Sequence, residues 1–236
     1  MTRSDSGAAE HVLNDPIWSA LMGPHAHLAQ GTGAARRYPG EVSPFCAFDV
    51  SSEGAYGDLA ALLGPGEAAA LLRPHPESPP PGWKLVYGAA LLQLVCPLPS
   101  RLLPAPEEAV TLGATDVPEM LALVELARPG PFGPQTLSLG RYIGVQDGDR
   151  LVAMAGERLH PAGFVEVSAV CTHPEYRGRG LGASLTAEVA RGIFARGLTP
   201  FLHVMPDNVG ARRVYEALGF AVRAEIALSV LKPVGG

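Results

Sequence analysis

Val165-Glu-Val-Ser-Ala-Val-Cys-Thr-His-Pro-Glu-Tyr-Arg-Gly-Arg-Gly-Leu-Gly182 runs a β-branched segment into a glycine-rich turn. The alternating apolar residues predict a strand that Pro174 ends, and Leu181, Leu185, Val189 and Ile193 then recur at helical spacing. The turn therefore opens a helix. There the first N–H groups lack carbonyl partners and the helix dipole is positive, so an anion can accept several hydrogen bonds at once. Gly178, Gly180 and Gly182 let the backbone approach that anion, and Arg177 and Arg179 supply countercharge. The chemistry suits a pyrophosphate.

Gly178, Gly180 and Ala183 also satisfy the dinucleotide pattern G-x-G-x-x-A. A dinucleotide site needs a strand feeding straight into the first glycine and an acidic residue about 20 positions on. Here residues 172–177 intervene, and Asp207 is the only acidic candidate near the end of the next strand. A second motif, Asn208-Val-Gly-Ala-Arg-Arg-Val-Tyr-Glu-Ala-Leu-Gly-Phe220, follows a short strand, Pro200-Phe-Leu-His-Val204. Together, Arg177-x-x-Gly180-x-Gly182 and Asn208-x-x-Ala211-x-x-x-Tyr215-x-x-x-Gly219-Phe220 resemble the GCN5-related N-acetyltransferases (GNAT), which bind acetyl-CoA. The likeness covers about residues 109–232 and is strongest from 164 to 220, where it looks closest to the FR47-like bacterial branch.

The 236 residues include 47% hydrophobic ones, enough for a large core in one or two domains. No apolar run approaches the roughly 20 residues of a membrane span, and Met1–Gly7 lacks the apolar core of a signal peptide, so a cytoplasmic protein is expected. A net charge of −5 argues against nucleic acid as a partner, although Arg177, Arg179, Arg212 and Arg213 form a basic patch suited to CoA phosphates. Cys46, Cys96 and Cys171 are odd in number and widely spaced. Neither a disulfide framework nor a metal site follows. The sequence allows a homodimer and does not fix the oligomeric state.

Pro97–Pro106 is the best linker candidate, which divides the chain into residues 1–104 and 105–236. In the second part Ala109–Leu112 reads as a strand, and Asp116 with Glu119 as a capping-box-like helix start running to Ala127. Arg128-Pro-Gly-Pro-Phe-Gly-Pro134 breaks that helix. Residues 141–146 and 150–159 form a hairpin across Asp147-Gly148-Asp149, and further strands start at Phe164, Pro200 and Phe220. The expected class is α/β, an α+β mixed sheet with helices on both faces, and the resemblance implies the GNAT fold there. In the first part, 43–49, 67–72 and 83–95 read as strands around a helix at 53–63, with Pro79-Pro-Pro-Gly82 forcing a turn. That order echoes the opening of a GNAT domain and could be a degenerate half supporting the sheet or walling the acceptor pocket. An unrelated α/β cap fits as well.

The resemblance implies that the strands ending near Thr172 and Val204 splay into a cleft where the pantetheine amides pair with backbone at Val170 and Thr172. Cys171 and Leu181 lie within the same donor-binding stretch. A backbone N–H near Val170 would polarise the acetyl carbonyl, and Asn208 would contact the pantetheine arm or cap the last helix. The resemblance assigns Glu166 as general base and Tyr215 as the acid that protonates the thiolate. Alternation puts Phe164, Glu166, Ser168 and Val170 on one face unless a bulge intervenes, and apolar neighbours should raise the Glu166 pKa. The competing roles are a carboxylate paired with an arginine for Glu166 and a packed aromatic for Tyr215.

A thiol at Cys171 beside the acetyl group suggests an acyl-enzyme, but a buried strand cysteine is far commoner. His203 could contact the acceptor or act as an alternative base; His173 and Glu175 are expected in solvent. Phe132 and Tyr142 would wall the acceptor site, and Glu125, Glu157 and Glu166 would attract a cationic amine. The sequence thus points to an acetyl-CoA-dependent N-acetyltransferase acting on a small-molecule or peptide amine, without a metal. A CoA-binding sensor or interaction module without turnover is the alternative.

Overall fold

The computed structural model describes residues 11–106 and 108–234. Met1–Gly7, considered above as a leader, lies outside that range. The elements in order are α1 (Pro16–Leu21), β1 (Ala35–Arg37), β2 (Cys46–Phe48), α2 (Ala55–Leu62), β3 (Ala69–Arg73), β4 (Trp83–Val95), β5 (Ala109–Leu112) and α3 (Val117–Ala127). They continue with β6 (Tyr142–Asp147), β7 (Arg150–Glu157), β8 (Phe164–Thr172), α4 (Leu181–Ala195), β9 (Thr199–Val204), α5 (Val209–Ala217) and β10 (Ala221–Pro233).

Eight strands form one sheet in the order β3-β10-β4-β9-β8-β7-β6-β5, while β1 and β2 pair separately. Only β8 and β9 run parallel, because α4 carries the chain back across the sheet between them. The class is a mixed α+β fold. Residues 1–104 and 105–236 share this sheet: β4 lies between β9 and β10, and β3 lies beyond β10. The unit β2–α2–β3 joins the sheet from the side, with a parallel bridge between Phe45, just before β2, and Ala70 of β3.

Apolar spacing determines which helix face is buried. Leu185, Val189 and Ile193 of α4, four residues apart, pack on Val165, Val167 and Leu202. Full burial of each such side chain stabilises the fold by roughly 1.5–3 kcal/mol. On the opposite face, Met120 and Leu123 of α3 pack with Met154, Ala169 and Cys171. The start of α3 departs from the expected capping box. Residues 114–116 form a 3-10 turn, and the Asp116 carboxylate accepts from the Gly113 N–H at 2.7 Å, leaving it no bond into α3. Arg128 ends α3 in the left-handed region, φ 50°, before Pro129.

Candidate active site

The middle of β8 is irregular. Ser168 pairs with Gly156 and Cys171 with Met154, so Ala169 and Val170 together oppose Ala155, and Ala169 has φ 51°. This is a β-bulge, and it inverts the alternation expected for β8. Val165 and Val167 pack on the α4 side, whereas Ala169 and Cys171 pack on the α3 side and Val170 returns to the α4 side. On its other edge β8 parts from β9 before the bulge: the two pair only over Phe164–Glu166 and Thr199–Phe201. Both strands then run on unpaired with each other to Thr172 and Val204.

The glycine-rich turn lies at the mouth of this opening. Gly178 (φ 77°) and Gly180 (φ 80°) adopt the left-handed backbone that glycine tolerates, and Gly180 caps α4. Among the described residues, the backbone N–H groups of 178–183 donate to no acceptor. Six consecutive free donors at the positive end of a 15-residue helix make an anion cradle. Arg177, Thr172 and Leu181 line the same cleft, of ≈ 300 Å³. Arg179 does not line the cleft itself; its guanidinium stacks 4.6 Å from the centre of the ring of Tyr176, which does.

Glu166 lies at the centre of a buried polar chain that crosses the sheet. Its carboxylate accepts from Arg158 Nε at 2.8 Å, Arg158 Nη2 at 2.6 Å and His203 Nδ1 at 2.7 Å, with no solvent exposure. Gln93 Nε2 contacts both the Leu13 carbonyl and His203 Nε2 at 3.0 Å, while its Oε1 accepts from Arg223 at 2.6 Å. Arg223 can only donate, so the Gln93 amide orientation is fixed, His203 Nε2 is an acceptor and Nδ1 carries the proton. Arg223 also donates to Asn14. Residues of β4, β8, β9 and β10, together with Arg158 and the segment at Leu13-Asn14, thereby fix one carboxylate from both parts of the chain.

Burial alone would raise the Glu166 pKa, as expected from its neighbours, but Arg158 and then His203 outweigh it and hold the group at about 2. The expected elevation is corrected on this point. An arginine eight residues earlier in sequence, on the connection leaving β7, supplies the countercharge that strand alternation does not reveal.

A second cavity, of ≈ 640 Å³, opens on the other side of the bulge. Its walls include Val167–Val170, Met205 and Asn208, the segment Ala127–Pro131, and residues from early in the chain such as Phe45, Ala70, Leu72, Tyr87 and Leu91. Val170, Ala211 and Tyr215 line both cavities and so mark their junction. Burial pushes the Tyr215 phenol up to about 12, keeping it protonated at neutral pH. Asn208 Oδ1 caps α5 by accepting from Ala211 N–H at 3.1 Å, which leaves its amide nitrogen for another partner.

The structure therefore gathers Val170, Thr172, Arg177, Gly178, Gly180, Leu181 and Gly182 around the cradle, and Asn208, His203 and Tyr215 around the larger cavity. Other expected residues lie elsewhere. Phe132 stacks edge-on against the fully buried Tyr142, ring centroids 5.7 Å apart, and neither lines a cavity because both fill the core under α3. Cys171 packs in the same core, where burial pushes its thiol up to about 12. Glu125 is exposed, Glu157 is buried on Arg196 at 2.5 Å, and Glu166 is neutralised by Arg158, so none presents a free carboxylate to the cavity. His173, expected in solvent, is buried and bonded to Arg150. Arg158, Gln93 and Arg223 were missed, and the first part of the chain was expected to wall a pocket only in general, without the residues from Phe45 to Leu91 that do so. Their roles depend on contacts across the sheet, and no local motif marks them.

No helix among the described residues is long and apolar enough to cross a membrane, and none of their His, Cys, Asp and Glu side chains cluster as a metal site. The FR47-like protein family matches residues 142–228. The chain is 33% identical over 130 residues to the N-alpha-acetyltransferase RimI of Mycobacterium tuberculosis, covering 49% of this chain and 81% of that protein. It is 37% identical over 83 residues to a mycothiol acetyltransferase of Saccharopolyspora erythraea, covering 35% of this chain and only 27% of that protein. A crystal structure of a GNAT-family protein from Novosphingobium aromaticivorans superposes with a TM-score of 0.88 at 41% identity, over 95% of this chain and 100% of the other. A GCN5-related N-acetyltransferase from Kribbella flavida shares the fold, with a TM-score of 0.64 at 20% identity over 97% of this chain and 98% of the other.

Proposed function

Because the chain belongs to the GCN5-related N-acetyltransferase family, we propose that it transfers an acetyl group from acetyl-CoA directly to a primary amine. One observation carries the proposal: Val170, Ala211 and Tyr215 sit where the anion cradle and the large cavity meet. A donor held by its pyrophosphate on residues 178–183 and by Arg177 would run its pantetheine along the free edges of β8 and β9, with its thioester at that junction. The residues present fit this ligand.

The amine enters from the larger cavity. Its nitrogen attacks the thioester carbonyl carbon, the C–N bond forms, the C–S bond breaks, and the amine gives up one proton. A backbone N–H at the bulge, near Val170, would stabilise the oxyanion by about 2.7–4 kcal/mol. Tyr215 would give its proton to the departing thiolate and be reprotonated by the proton the amine loses, so charge and atoms balance. The three hydrogen bonds on Glu166 make it a poor base, which favours a positioning role: it fixes His203 and the strand carrying the bulge.

Calorimetric titration with acetyl-CoA, CoA and NADH, followed by thiol release over a panel of amines, tests the proposal. Acetyl-CoA binding lost in Gly180→Glu, with amine-dependent thiol release in the wild type, is the expected result. A Cβ at 180 meets no atom within 4 Å, so the variant's main effects are the negative charge placed at the cradle and the strain of a side chain at φ 80°, and its folding is verified first. Binding of NADH alone would overturn the donor assignment, and binding of CoA without release from any amine would favour a sensor.

A further inference from the structure

The proposed transfer leaves the acceptor's chemistry open, and the walls of the large cavity restrict it. At ≈ 640 Å³ the space falls in the range of pockets that enclose drug-sized ligands, far beyond an acetyl group or glycine. Phe45, Ala70, Leu72, Leu91, Leu228 and Val230 give it apolar walls. Its charged lining residues are Arg128 and Arg158, with His203 also titratable, and no Asp or Glu is among them. Arg158 is already paired with Glu166. Arg128 lies exposed at the rim of the cavity, makes no side-chain ion pair or hydrogen bond among the described residues, and has its backbone in the left-handed region.

These surroundings disfavour a polycation. An ammonium brought into the cavity meets one unpaired guanidinium, a second that is already neutralised, and no carboxylate, so its desolvation would go uncompensated. A neutral amine on an apolar body suits the walls, and an anionic group elsewhere on the same molecule complements Arg128. Resting on the acetyl-transfer proposal, we infer that the acceptor is an amphipathic amino acid: a primary amine joined to a large apolar group and a carboxylate that faces Arg128. Removing the amine's proton before binding puts the acidic limb of its pH–rate profile at the amine's own pKa.

Steady-state thiol release from saturating acetyl-CoA is measured with phenylalanine, 2-phenylethylamine, glycine and spermidine. Phenylalanine should exceed glycine in kcat/KM by roughly 100-fold, as loss of a large apolar contact commonly gives. Arg128→Asn, a residue that tolerates φ 50°, should lower kcat/KM about 10-fold for phenylalanine and leave 2-phenylethylamine nearly unchanged, as loss of a charge-assisted hydrogen bond would. Tyr87→Glu, at an exposed position on the cavity wall, should reverse the preference toward 2-phenylethylamine. Preference for spermidine, or equal use of glycine and phenylalanine, overturns the inference while leaving the acetyl-transfer proposal intact. Binding of N-acetylphenylalanine by calorimetry, weakened in Arg128→Asn, supports the inference where amines are turned over. The same binding without turnover of any amine would leave the pocket's preference standing and overturn the transfer proposal, whereas no binding together with no turnover overturns both.

Discussion

Replacing Arg158 by Met removes both guanidinium hydrogen bonds from Glu166 and leaves an anion with no solvent exposure facing His203 alone. The pair's worth can be bounded in two ways. Arg158 and His203 hold the Glu166 pKa near 2 against its usual 4.5, which corresponds to stabilisation of the folded, ionised form on the order of 3 kcal/mol. Breaking one partner of a buried pair elsewhere costs about 3–5 kcal/mol. For a chain of this size that is a fall in Tm of roughly 6–20 °C.

The pH dependence carries the sign. In the wild type Glu166 has a depressed folded pKa, so its contribution is complete above pH 4.5 and is lost as pH falls toward 2. In Arg158→Met the folded pKa rises above the unfolded one, so the variant gains stability as pH falls from 7 to 5, whereas the Glu166 contribution in the wild type is flat over that interval. Urea unfolding followed by the fluorescence of Trp18 and Trp83 at both pH values measures this. The double variant Arg158→Met with Glu166→Gln should recover most of the loss at pH 7. A single variant that loses less than about 1 kcal/mol, with no reversal in pH dependence, would refute the reasoning.

Tyr215→Phe keeps the ring and removes the proton, so kcat should fall about 100-fold with acetyl-CoA affinity by calorimetry within 2-fold. Because burial holds this phenol up to about 12, the wild-type rate should show no loss from Tyr215 ionisation below pH 10. Arg177→Ala should weaken CoA binding by about 1–2 kcal/mol and reduce the dependence of that binding on salt, read by titration at two ionic strengths. A methyl group at Gly156 would overlap the Tyr142 ring, so Gly156→Ala should destabilise the fold by about 3 kcal/mol in the same urea assay.

The backbone of the glycine-rich cradle, proposed above as the donor site, was legible because its determinants are local. The glycines, the helix start at Leu181 and the cap at Asn208 are each specified within a few residues, by backbone conformation and unpaired N–H groups. The end of α3 at Arg128-Pro129 was legible for the same reason. The surroundings of Glu166 were not, since the two side chains that lower its pKa come from beyond β7 and from β9, and Gln93 comes from a strand assigned to the other part of the chain. The bulge at Ala169-Val170 was illegible too. It needs no glycine or proline, and it reverses which residues face α3, so Cys171 enters that core while Val170 reaches the junction of the cavities.

The strand order β3-β10-β4 has a consequence for how the chain reaches this structure. β3 and β4 are separated by only nine residues, which invites a hairpin, yet each pairs antiparallel with β10, the last of the described elements in sequence, so the two run parallel to each other. A nascent chain that closed the β3–β4 hairpin would occupy the slot that β10 needs, and would have to reopen it. The connection contains Pro74, Pro76, Pro79, Pro80 and Pro81. The rings stiffen most of this connection, and a turn at Pro81-Gly82, closed by the Trp83 N–H donating to the Pro80 carbonyl at 3.2 Å, redirects the chain into β4 about two strand spacings, near 10 Å, from β3, leaving the slot for β10. Ordering this sheet is therefore a late event of long sequence separation, and shortening or softening the proline connection should favour a trapped intermediate over the native sheet.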